Sequence, residues 1–196
     1  NAAYYTGNME AYRLTGKAAY YNYSQQWCEH NRWRGANSDD KRNWKYKTYG
    51  EGQDFVLFGD WQICFQTYID MYNLNPADYK VARAKEVMTY ACHLDENKFW
   101  WWADALYMVM PLMTKMYKLT GDRMFLDRMY ENYLWSDSLM YDAEAQLYYR
   151  DAKYIYPKVK TASGGKSFWA RGDGWVLAGL AKVLGDMPED YEPVSY

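Results

Sequence analysis

The sequence predicts an all-α chain of helical hairpins strung into an array or toroid. Three observations predict it. Apolar residues recur at the helical period, long polar/apolar alternation is scarce, and a Tyr-rich helix–turn–helix pattern returns along the chain.

The first turn is Tyr12-Arg13-Leu14-Thr15-Gly16, followed by a Tyr-rich amphipathic stretch to Trp27. The second is Tyr72-Asn73-Leu74-Asn75-Pro76, ahead of a helical stretch from Tyr79 to Ala91. The third is Tyr117-Lys118-Leu119-Thr120-Gly121, ahead of a stretch that runs to Trp135. Gly16, Pro76 and Gly121 stand 60 and 45 residues apart, a spacing that fits stacked helix pairs. Within the third pair, Leu112, Met113, Met116 and Leu119 follow one helical face, and Gly121 supplies the left-handed residue that ends such a helix. The stretch from Asp122 to Trp135 opens on an acid and keeps its apolar residues on one side. A last helix is expected from Trp175 to Leu184, with a fourth turn at Gly185-Asp186-Met187-Pro188. Three and a half pairs would then fit, the last without room for its second helix. Leu147–Tyr149 and Tyr154–Tyr156 read as short strands or extended loop. Residues 34–52 and 142–167 read as long loops, of the kind that rim the mouth of a toroid.

Composition narrows the function. The chain has 196 residues and a formal net charge of −2, which speaks against an electrostatic nucleic-acid binder. Hydrophobic residues make up 49% and aromatics 20%, enough for a core and too apolar for disorder. No apolar run approaches the ~18–20 residues of a membrane span. With two histidines and three scattered cysteines, a histidine-built metal site is not expected. The 23 Tyr and 10 Trp suit either an aromatic helical core or a cleft that stacks on sugar rings. Gly165-Lys166-Ser167 has the tail of a phosphate-binding loop, but Lys160 stands where its first glycine belongs.

Three constellations carry chemistry. Asp104 follows Phe99-Trp100-Trp101-Trp102-Ala103 and precedes Ala105-Leu106-Tyr107-Met108. It reads either as a helix cap or as a carboxyl that its aromatic surround makes a proton donor. Asp60, in Phe58-Gly59-Asp60-Trp61, reads as a second cap or as a partner carboxylate at another helix entrance. Phe168-Trp169-Ala170-Arg171-Gly172-Asp173-Gly174-Trp175 reads as a loop holding a structural Arg–Asp pair. Alternatively, Arg171 grips a sugar carboxylate while Trp169 stacks on the ring.

Together these stretches resemble the unsaturated glucuronyl and rhamnogalacturonyl hydrolases of glycoside hydrolase families 88 and 105, family 105 most nearly. Trp102-Ala103-Asp104-Ala105-Leu106-Tyr107-Met108-Val109-Met110-Pro111 is similar to the pattern W-x-D-A-L-x-M-x-x-P. Phe168 to Trp175 is similar to F-W-[SA]-R-G-N-G-W, with Asp173 in place of the common Asn. Ala178 to Pro188, and Gly59-Asp60 through Gln66, Tyr68 and Tyr72, also match. Where many members have Tyr-His, this chain has Tyr149-Arg150.

The resemblance implies an (α/α)6 toroid, of which residues 1–196 would form a partial domain, about the first half. A half-ring would leave apolar flanks open, so this segment alone is expected to aggregate or melt without cooperativity. The implied substrate is an acidic oligosaccharide cut by a lyase, with a C4=C5 double bond on its terminal uronic acid. The implied enzyme protonates C4, water adds at C5, and the hemiketal collapses to release the next sugar. Asp104 is implied as the acid/base and Asp60 as its partner. Trp169, Arg171, Arg150, Trp102 and Gln66 are implied as substrate contacts. No metal or organic cofactor, nucleic acid or membrane partner is implied, and the oligomeric state is left open. The alternative is a non-catalytic carbohydrate-binding or structural helical protein. A sugar epimerase on the same fold would be expected to use more histidines.

Overall fold

A computed structural model describes residues 2–47, 50 and 52–192. The chain divides into two compact units, Asn1–Leu94 and Asp95–Tyr196.

In the first unit, α1 (Ala2–Thr15) and α2 (Ala18–His30) form a hairpin. Its turn is made by Gly16, at φ 65°, whose N–H donates to the Tyr12 carbonyl at 2.8 Å. A side chain there would strain the backbone, which explains the glycine. The second hairpin joins α4 (Cys64–Leu74) to α5 (Tyr79–Cys92) and is preceded by the one-turn α3 (Gly59–Gln62). α1 and α2 both pack on α4. Phe65, Tyr68, Ile69 and Met71 of α4 meet the interior together with Val81, Ala84, Val87 and Met88 of α5. Each of the larger side chains stabilises by about 1.5–3 kcal/mol through burial.

The polar stretch from Arg34 is anchored from below. Arg83, on α5 and 5% exposed, donates to the carbonyls of Ala36 (2.9 Å) and Ser38 (2.6 Å) and pairs with Glu86 at 2.8 Å. Trp44 lies 4.8 Å from the Arg83 guanidinium, and the Tyr68 hydroxyl donates to the Arg34 carbonyl. The described part of this loop therefore has fixed places for its carbonyls.

The second unit repeats the plan. The one-turn α6 (Ala105–Met108) leads into a hairpin of α7 (Met110–Thr120) and α8 (Met124–Met140). Gly121 closes α7 at φ 74°, its N–H bonded to the Tyr117 carbonyl, as the sequence predicts. α8 runs five residues past the expected end at Trp135; the Asp122 carboxylate accepts the Met124 N–H at its start. A two-residue hairpin follows, β1 (Tyr141–Asp142) against β2 (Leu147–Tyr148), in antiparallel register. Tyr154–Tyr156 forms turns and not a strand.

α9 spans Ala170–Asp186 and packs on both α6 and α7. Its start corrects the sequence reading: Arg171, Gly172, Asp173 and Gly174 lie in helix, not in a loop. Two glycines lower helix propensity, but each has a local reason or none against it. A Cβ on Gly172 would come within 2.6 Å of the Trp169 ring, whereas Gly174 faces open space. Further along, Gly179 lets α9 approach α6 so closely that a Cβ would sit 2.3 Å from the Leu106 carbonyl oxygen. No helix among the described residues is long and apolar enough to cross a membrane.

Candidate active site

The site is built where two backbone segments of the second unit meet. The Ala103 N–H donates to the Arg150 carbonyl at 2.9 Å, and Trp102 pairs with Asp151 as an isolated antiparallel bridge. This pairing brings Arg150 to the acid that follows Ala103. The start of α9 brings Arg171 to the same carboxyl. The Asp104 charge feels both guanidinium groups.

Asp104 stands at the N-cap position of α6, yet its side chain makes no capping bond. The carboxyl is half-buried, and its Oδ2 is enclosed without a hydrogen-bond partner among the described residues. The capping reading is thereby set aside. Burial pushes this carboxyl above the ordinary carboxylate range, against a hydrogen bond from its own main chain and the attraction of Arg150 and Arg171. An enclosed oxygen with a raised pKa can carry a proton that it is able to give up.

The Trp169 ring stands before α9 with cations close to it: the Arg171 guanidinium at 4.5 Å and that of Arg150 at 6.0 Å. Arg171 is exposed. No pair forms between Arg171 and Asp173 among the described contacts; Asp173 instead accepts the Tyr148 N–H at 2.7 Å, tying α9 to β2. An asparagine oxygen could accept the same bond, so the Asp-for-Asn difference leaves this link intact. Arg150 is a quarter exposed, faces Tyr154 at 5.7 Å and forms an ion pair with Asp151. Trp102 is only 5% exposed and packs against Trp101 at 4.8 Å, so it lines the wall behind the acid more than its surface. Trp175 and Tyr107 pack with their ring centres 4.7 Å apart and their planes tilted by 46°, on the α9–α6 contact.

The other two expected residues belong to the first unit. Asp60 is exposed and is the second residue of α3, whose N-cap is Phe58. Its place resembles that of Asp104 in that each acid stands at the start of a one-turn helix that leads a hairpin, but Asp104 is the N-cap and Asp60 lies two residues past one. Gln66 is wholly buried on α4.

Asp151 and Tyr154 escaped the sequence reading. The only signal was an Asp directly after an Arg in a Tyr-rich segment. Among the described residues, no three His, Cys, Asp or Glu converge as a metal site would require. Lys166, from the phosphate-loop-like triplet, pairs with Asp142 (2.8 Å) and Glu144 (2.7 Å) instead.

Comparison with known proteins gives the family and the fold. The chain is 39% identical over 97 residues to an unsaturated 3S-rhamnoglycuronyl hydrolase of Formosa agariphila, covering 47% of this chain and 26% of that protein. A solved structure described as a glycosyl hydrolase family 88 protein from Bacteroides vulgatus superposes with a TM-score of 0.94 at 52% identity, covering 96% of this chain and 54% of that one. Another, described as a polysaccharide lyase, gives a TM-score of 0.94 at 62% identity, covering 96% and 53%. The fold is therefore the helical-hairpin fold of the helical-toroid hydrolases, and the chain spans about half the length of these solved structures and about a quarter of the Formosa agariphila hydrolase. The sequence model of Glycosyl Hydrolase Family 88 matches residues 1–195, and the chain belongs to that family.

Proposed function

We propose that this chain carries the proton-donating part of an active site that removes a 4-deoxy, C4=C5-unsaturated uronic acid from the non-reducing end of lyase-made oligosaccharides. The observation that carries this reading is the Asp104 carboxyl, with one oxygen enclosed and unpartnered among the described residues, raised by burial and within electrostatic reach of Arg150 and Arg171. Hydrating a vinyl ether asks for one acid that gives a proton to C4 and takes one back from the attacking water. The bond that forms at C5 makes a hemiketal; its collapse breaks the C5–O5 ring bond to give a C5 ketone and a hemiacetal at C1, which in turn expels the next sugar as its free alcohol and leaves an aldehyde. Asp104 is that acid. Asp60 is proposed as the second carboxylate from its motif and its similar place at the start of a one-turn helix that leads a hairpin. Arg171 grips the uronate carboxylate while Trp169 stacks on the ring. Trp102 backs the acid, and Gln66 remains a proposed contact only through its motif. The curated relative is named for a rhamnoglycuronyl substrate, so unsaturated glucuronate linked to rhamnose is the first substrate to try.

A lyase reading is favoured by one observation, the description of the 62%-identical chain. The two reactions differ in sign. A hydrolase consumes the conjugated double bond and its near-ultraviolet absorbance falls; a lyase creates the bond and the absorbance rises. The expected result is a fall, lost by roughly 10²–10⁴-fold in Asp104→Asn, the range for removal of a general acid. A rise on intact polysaccharide would replace the proposal with the lyase. Binding of the oligosaccharide with no change in absorbance would leave a carbohydrate-binding protein.

A further inference from the structure

One buried acid has no part in the reaction just described. Asp151 is 1% exposed, the most enclosed carboxylate of its segment. Its Oδ1 accepts the Lys153 N–H at 2.8 Å, its Oδ2 accepts from Arg150 Nη1, and its backbone pairs with Trp102. Residues adjacent in an extended chain usually point to opposite sides. Here the two neighbouring side chains meet: the chain bends at Arg150, and it turns again after Asp151, where the Tyr154 N–H bonds back to the Asp151 carbonyl at 3.0 Å. A buried carboxylate without a partner would be costly, so the pair is fixed from both ends. Arg150 is accordingly not a free arm reaching for substrate. Its guanidinium has one place, between Tyr154 and Trp169 and within electrostatic reach of Asp104.

We propose that Asp151 is a positioning residue: without touching substrate, it holds the Arg150 guanidinium beside Trp169 and Asp104 in the geometry the reaction uses. The inference rests on the function proposed above and adds a residue to it. Two consequences follow from the pairing. Arg150 spends little conformational entropy when substrate arrives, since its rotamer is already set. Its charge is paired with that of Asp151, whereas Arg171 has no ion-pair partner among the described residues, so in the proposed subsite Arg150 shapes the site more than it attracts the substrate.

The test is a double-mutant cycle in the active protein: Arg150→Met, Asp151→Asn and the two together, each assayed for kcat and KM on the unsaturated oligosaccharide and checked for folding by circular dichroism. Asp151→Asn keeps the acceptor for the Lys153 N–H and removes the charge. The expected result is a roughly tenfold loss of kcat/KM in Asp151→Asn, on the scale of couplings within one network. The double variant should then be no worse than Arg150→Met alone. Additive losses would overturn the proposal, as would Asp151→Asn activity within twofold of the parent while Arg150→Met is impaired. Should Asp151→Asn fold poorly, the comparison of the double variant with Arg150→Met still decides, since both lack the cation that Asp151 balances. Asp104→Asn serves as the separate control. If it retains turnover, the function proposed above fails; if it is dead and the cycle is additive, only the role of Asp151 fails.

Discussion

Replacing Gly179 by alanine tests how the acid is held. Gly179 lies in the middle of α9, and a Cβ built there would stand 2.3 Å from the Leu106 carbonyl oxygen, 2.9 Å from its carbon and 3.2 Å from the Tyr107 Cα. All three are main-chain atoms of α6, which cannot swing aside as a side-chain end would. Real Cβ contacts essentially never fall below 3.0 Å, so the two helices must part. Overpacking of this kind costs about 1–3 kcal/mol. In a chain of this size each kcal/mol lowers Tm by roughly 2–4 °C, so a drop of about 2–12 °C is expected by calorimetry. α6 begins directly after Asp104, so the same displacement moves the proposed proton donor. A misplacement near 1 Å can cost roughly 10²-fold in rate, and kcat should fall while the isolated carboxyl chemistry is unchanged. The control lies on the same helix. Gly185 faces open space, and its replacement by alanine should leave activity intact and raise stability by up to about 1 kcal/mol. A Gly179→Ala protein that melts and turns over like the parent would refute the close-approach argument.

Asp104→Asn should alter stability with a pH dependence of defined sign. The folded-state carboxyl is raised, so the native chain holds its proton more firmly than the unfolded one, and this favourable contribution is lost as pH rises through the folded value. Thermal melts should therefore find the variant gaining on the parent toward neutral pH and not in acid; a constant difference across the range would contradict the burial argument. Arg171→Ala should mainly raise KM in steady-state assays, because the lost grip acts on a carboxylate present in both ground and transition states. An unchanged KM would remove Arg171 from the subsite. Arg83→Met should cost about 1–3 kcal/mol by leaving the Ala36 and Ser38 carbonyls unmet, and hydrogen exchange should quicken between residues 36 and 44; unaltered exchange there would show that the loop does not depend on this anchor.

The hairpins were legible because their signals are local. Gly16 and Gly121 mark their turns through a backbone geometry that favours glycine, and Leu112, Met113 and Met116 announce a buried face by spacing alone. Gly172 and Gly174 misled for the converse reason. Their low propensity suggested a loop, whereas the helix is settled by tertiary contacts of α9 with α6 and α7. Asp104 was legible as a candidate, but not as the uncapped acid it is, since a cap is a matter of side-chain direction. The partnership of Arg150 with Asp104 depends on a single backbone pairing between segments far apart in the chain, 102–103 and 150–151. No periodicity encodes such a meeting, and the buried Asp151 that accompanies it was invisible for the same cause.

That pairing also separates two hereditary tasks. The main chain of residue 150 is fastened through the Ala103 N–H, while its side chain projects toward Trp169 and Tyr154. In the proposed site, exchanging the residue at 150 would therefore change the side chain beside Trp169 without relocating the acid one residue beyond Ala103. The main-chain place of Asp104 is thus kept while the charge beside it is not, and a neutral residue at 150 would also leave the buried Asp151 without its cation, so the two positions are expected to change together.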